Sequence, residues 1–87
     1  MAALPGRPTP SGSMPTVLRN GPYRFFFYSG DGDEPQHIHV QRDRAVAKFW
    51  LDPVRLEYSI GFRPVEIRRI QGMIEAHSET LTEAWHE

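Results

Sequence analysis

His37-Ile38-His39 places two imidazoles at i and i+2, and in an extended strand that spacing directs both to one face. Paired imidazoles can ligate a metal, move a proton near neutral pH, or form ordinary polar surface. Each use makes a different demand on the neighbours. Metal-free RNA cleavage needs a base for the 2′-hydroxyl, an acid for the leaving oxygen and cations for the phosphorane, and histidine with arginine or lysine can supply all three. A zinc site needs three or four ligands. Beyond the histidine pair the candidates are His77, His86, Asp31, Asp33 and Glu34, which share no fixed spacing, so no metal ligand is assigned. As plain surface, the pair would sit beside a Lys48–Glu57 cross-strand ion pair and a Trp50–Arg55 stack, contacts of only ~0.2–1 kcal/mol each.

A strand must carry the pair, and the alternation supports one: Ile38 and Val40 face one way, His37, His39 and Gln41 the other. Asp43-Arg44 as a two-residue turn sets Val40 opposite Ala47 and Ile38 opposite Phe49, which makes one face wholly apolar. The same register sets His39 opposite Lys48 and His37 opposite Trp50. Asp52-Pro53 breaks the next run. Because proline cannot adopt the positive φ of a primed hairpin turn, a connection longer than two residues is expected there. Val54, Leu56, Tyr58 and Ile60 then alternate with Arg55, Glu57 and Ser59, which assigns Arg55 and Glu57 to the histidine face.

Upstream, Thr16 to Arg19 and Tyr23 to Tyr28 flank Asn20-Gly21-Pro22 and read as a hairpin whose second strand is aromatic on both faces. Residues 29–36 (SGDGDEPQ) form a polar loop into the histidine strand. Its Gly30-Asp31-Gly32-Asp33 lacks the later glutamate of a calcium loop. Downstream, Pro64 and Glu66 open a helix. Its apolar stripe runs Ile67, Ile70, Ile74, His77, Leu81 and Ala84 or Trp85, with Gly72 either a close backbone approach or a weak point. Glu75, Glu79, Glu83 and Glu87 crowd its end against the macrodipole, so the last turns should fray unless covered.

The fold class is therefore α+β, an antiparallel sheet of four or five strands packed against one C-terminal helix, with Phe49, Leu56, Ile38, Val40, Ile67, Ile70 and Ile74 in the core. Residues 1–13 read as a disordered leader or expression remnant, and residues 14–87 as a single domain. The chain has 87 residues and no cysteine, so packing alone must stabilise it, and a reducing cytoplasmic setting is permitted. No apolar run approaches the ~20 residues that cross a bilayer, so no membrane role is expected. No phosphate loop, nucleophile elbow or cofactor motif is present, so no cofactor is expected.

Net charge is −1 with pI near 6.4, whereas nucleic-acid binders usually carry a basic excess. The charge is uneven along the chain. Residues 14–72 hold nine Arg and Lys against seven Asp and Glu, and residues 73–87 hold four Glu and no Arg or Lys.

Taken together, Met14 to Arg19, Tyr23 to Ser29, Pro35, His37 to Val40, Ala47 to Pro53, Gly61-Phe62 and Ala84 to Glu87 resemble the small bacterial family catalogued as domain of unknown function 4160, over about residues 14 to 87. Arg63 departs from the serine-like helix cap expected of it. The resemblance implies a stand-alone bacterial protein, the toxin-like member of a two-gene toxin-antitoxin pair, with an antitoxin encoded nearby as its partner. The expected function is action on RNA, with ribonuclease-like chemistry from His37 and His39 and substrate binding by Arg24, Lys48, Trp50 and Arg55. A non-enzymatic protein-interaction module and a small metal-binding protein are the alternatives.

Overall fold

The computed structural model describes residues 16–28 and 31–86; the leader expected over residues 1–13 lies outside them. One antiparallel sheet holds five strands in chain order: β1 (Thr16–Asn20), β2 (Tyr23–Phe26), β3 (His37–Arg42), β4 (Ala45–Leu51) and β5 (Val54–Ile60). Short turns make this order possible. Gly21 takes φ 60° between β1 and β2, and Asp43 takes φ 54° in the two-residue Asp43-Arg44 turn that the alternation requires. The β4–β5 connection is also only two residues, contrary to expectation. Leu51 pairs with Val54 directly across Asp52-Pro53, whose peptide bond is cis.

The α+β architecture matches the sequence pattern, but the helical part is two segments, α1 (Pro64–Ala76) and α2 (Ser78–Trp85). His77 divides them with φ −115° and ψ 21°. Its ring Nδ1 lies 2.9 Å from the Met73 carbonyl oxygen. The same carbonyl also accepts from the His77 backbone N–H at 3.1 Å, so the His77 side chain and backbone share one acceptor at the break. Gly72 meets no atom within 4 Å of where a Cβ would lie, so it marks no close backbone approach. No helix among the described residues is long and apolar enough to cross a membrane.

Both helices cover the sheet face bearing Phe25, Ile38, Val40, Ala47 and Phe49, with Ile70, Ile74 and Leu81 completing the core. Ile67 is only partly buried at its margin. Leu56, expected in this core, is 37% exposed. It sits opposite Phe49, but on an edge strand that the helices do not fully cover.

The start of α1 is fastened to the sheet by a polar clasp. Arg42 on β3 donates Nε and Nη2 to the two carboxylate oxygens of Glu66, at 2.8 and 3.0 Å. The Tyr23 hydroxyl donates to the same carboxylate at 3.1 Å, and the Arg63 backbone N–H at 3.4 Å. The Arg42 hydrogen bonds hold the Glu66 carboxyl below the usual carboxylate range, and Glu66 raises Arg42 in turn. Glu66 thus supplies one half of a capping box, accepting from the N-cap backbone N–H, while Arg63 offers no acceptor for the other half.

The pairing of β4 with β5 shifts between Lys48 and Phe49, leaving Glu57 as an extra residue. This β-bulge breaks the alternation on which the sequence reading of β5 rests. Val54 and Leu56 keep the helix side, opposite Leu51 and Phe49. Tyr58 and Ile60, opposite Lys48 and Val46, turn to the histidine side. The single-face assignment of all four residues is therefore corrected.

Candidate functional site

The sheet face away from the helices can be built strand by strand from the register. One transverse row runs Thr16, Phe26, His39, Lys48 and Tyr58 across all five strands. On one side lies the row Arg19, Arg24, Gln41, Val46 and Ile60. On the other side lie His37, Trp50 and Arg55. Every residue assigned a catalytic or substrate-binding role from sequence (His37, His39, Arg24, Lys48, Trp50 and Arg55) thus shares this one face.

The expectation of polar, outward histidines needs correction. His37 is fully buried and His39 is 7% exposed, so β3 is covered on both sides over residues 37–40. Aromatic neighbours do the covering. The His39 ring stacks on Phe26 at 5.5 Å between centroids and meets Tyr28 edge-on at 4.4 Å. His37 lies edge-on to His39 at 5.1 Å and between Trp85 at 5.0 Å and Trp50 at 5.8 Å. Trp85 also meets Phe27, and the Gln36 amide lies 3.1 Å from His86 Nε2. These contacts anchor the end of α2, where the acidic composition alone predicts fraying.

His37 Nδ1 lies 2.9 Å from the Pro35 carbonyl oxygen. A carbonyl only accepts, so Nδ1 carries the proton and donates it there. The Glu34 carboxylate stands 3.9 Å from the same nitrogen and accepts from Lys48 Nζ at 2.5 Å. Lys48 also lies over Trp50, 4.7 Å from the ring centroid. Trp50 Nε1 donates to Glu57 at 2.9 Å. The pairings expected of a plain surface, Lys48 with Glu57 and Trp50 with Arg55, are therefore replaced by Lys48 with Glu34 and Trp50 with Glu57. Arg24 donates to Thr16 Oγ1 at 2.8 Å and to Gln41 at 3.1 Å while its guanidinium covers Phe26.

Sequence reasoning missed three members of the face. Glu34 enters through the loop, Tyr28 through the aromatic run, and Tyr58 through the bulge. The run of aromatics on both faces of β2 is the one signal that could have foretold a covered histidine pair. Chemically, the face offers a nearly enclosed imidazole pair, a carboxylate bridging toward a lysine, and exposed rings flanked by arginines.

Among the described residues no group of three or more His, Asp or Glu is placed to hold a metal ion. An open pocket of about 520 Å³, lined by Arg42, Asp43, Arg44, Ala45, Ile60 and Gly61, lies at the other end of β3 from His37. No curated protein and no solved structure matches the chain. A family model does match residues 23–86, a span that takes in all of β2 to α2 and both histidines, and the chain belongs to the family described as Domain of unknown function (DUF4160).

Proposed function

We propose that this protein acts on RNA in a bacterial cytoplasm as the toxin-like member of a two-gene pair, held in check by an antitoxin encoded nearby. The observation that supports this best is the sheet face opposite the helix-packed core, where Arg19, Arg24, Lys48 and Arg55 surround the aromatic and histidine rows. Local cations can grip phosphate even where the whole chain is slightly acidic. Of the two histidines, His39 alone reaches the surface, so it is the one to meet a 2′-hydroxyl or a leaving oxygen. His37 stands behind it as a positioning residue, its Nδ1–H donated to the Pro35 carbonyl oxygen. Ribonuclease-like chemistry would then rest on His39 with Lys48 and Arg55 as the charge-stabilising groups.

The test is expression alone and together with the neighbouring gene. Growth arrest relieved by co-expression, accompanied by loss of intact RNA, is expected. His39→Gln should abolish arrest while leaving the melting temperature near wild type, and activity in vitro should vary between about pH 5 and 8. Full arrest by His39→Gln would remove proton transfer from the reading. A non-enzymatic interaction module is the second reading, favoured by Leu56, Tyr58 and Ile60 of β5, which are 37%, 42% and 63% exposed. A neighbour that binds without any growth phenotype would select it.

A further inference from the structure

We infer that the sheet face opposite the helix-packed core takes unpaired rather than duplex RNA, seating bases on the rings of Tyr28 and Tyr58; this rests on the RNA-directed reading above. The two rings are 43% and 42% exposed, whereas Phe26, which Tyr28 packs against and which shares a transverse row with Tyr58, is buried. Tyr28 packs against His39, and Tyr58 is paired directly with Lys48. Both rings are thus fixed to the same sheet on opposite sides of β3.

Their separation suits a short single strand. Tyr28 follows β2 and Tyr58 lies on β5, three strand spacings across and about two residues along, or about 15 Å. That width accommodates the two or three splayed bases a sheet face typically stacks. A base offers its π face only when unpaired and unstacked, whereas a duplex hides every face and presents phosphates.

The charges agree. Arg19 and Arg55 border the face at its two edge strands, and neither forms an ion pair among the described residues. Glu34 is neutralised by its ion pair with Lys48, and Glu57 accepts from the Trp50 N–H. Two outlying cations can hold the backbone of one strand, but they make a poor footprint for the two phosphate rails of a duplex.

The test is fluorescence anisotropy with the full chain and a labelled, unstructured RNA of about ten nucleotides, measured alone and annealed to its complement. Unpaired RNA should bind at least about ten-fold tighter than the duplex. Tyr28→Ala and Tyr58→Ala should each weaken binding about five-fold or more, and Tyr28→Phe and Tyr58→Phe should not, because stacking needs the ring and not the hydroxyl. Arg55→Ala should lower the slope of log affinity against log salt by about one. Thermal melting confirms that each variant is folded. Equal affinity for the duplex, or alanine variants within two-fold of wild type, would overturn the inference. Protection of both tyrosines by the neighbouring protein, with no RNA bound, would overturn it in favour of a protein ligand. Growth arrest without preference for unpaired RNA defeats this inference alone, whereas intact stacking without growth arrest defeats the toxin reading alone.

Discussion

Phe49 and Leu56 face each other across β4 and β5 on the helix side of the sheet, so truncating each in turn measures how far the core reaches. Phe49 is fully buried within the cluster containing Ile38, Ile70 and Ile74. Phe49→Ala should therefore cost about 3–5 kcal/mol, the usual loss for a phenylalanine that leaves a cavity behind. A chain of this length has a total stability of only about 4–13 kcal/mol, so that one change removes between a quarter and all of it. Leu56 is 37% exposed, and the solvent-facing part contributes nothing to burial, so Leu56→Ala should cost about 1 kcal/mol. Urea denaturation followed by tryptophan fluorescence separates the two. With a slope of about 1 kcal/mol per molar urea, the midpoints should fall by about 3 M or more for Phe49→Ala and about 1 M for Leu56→Ala. Equal losses would refute the reasoning, because they would mean that something covers the β5 edge in solution.

Two further outcomes follow from the same geometry. Glu66 has a folded pKa below its unfolded value, so the clasp contributes stability that is present above the unfolded carboxylate pKa and is lost as pH falls through the folded one. Melting temperature against pH should show an acid limb that Glu66→Gln flattens, and an unchanged limb in the variant would place the acid sensitivity elsewhere. Gly61 holds φ 89° with its missing Cβ only 3.2 Å from the Ala45 Cα and Cβ, so Gly61→Ala should destabilise by about 1–3 kcal/mol. Calorimetry that finds it neutral would show that this turn relaxes freely.

The central hairpin was legible because its information is local. Asp43-Arg44 admits one tight turn, and that turn fixes every pair from Arg42–Ala45 to His37–Trp50. The outer strand was not legible, since a bulge changes the parity of an alternating run without changing its composition. Val54, Leu56, Tyr58 and Ile60 look identical to a strand that stays on one face. The histidines were misjudged as outward for a related reason. Polarity suggested solvent, while their enclosure depends on Tyr28, Trp50 and Trp85, the last of them 48 positions beyond His37 and brought there only by the return of α2. The division of the helix at His77 rests on the backbone angles of one residue, which periodicity does not encode. All six assigned site residues nonetheless reached one face, because β2, β3 and β4 are regular and Arg55 pairs with Trp50 before the bulge in β5.

The bulge at Glu57 also bears on how this chain behaves when crowded. An exposed edge strand rich in leucine, tyrosine and isoleucine is a template on which another sheet can grow, and long regular edges of that kind seed fibrils. In β5 the extra residue interrupts the spacing of outward backbone N–H and C=O groups at mid-strand, so an added strand finds only about three residues in register on either side. Deleting Glu57 from the seven-residue β5 would leave one continuous six-residue edge. The variant should form thioflavin-positive aggregates at concentrations where the parent chain stays dispersed, which makes one irregular residue a guard against self-templating as well as the reason Tyr58 faces outward.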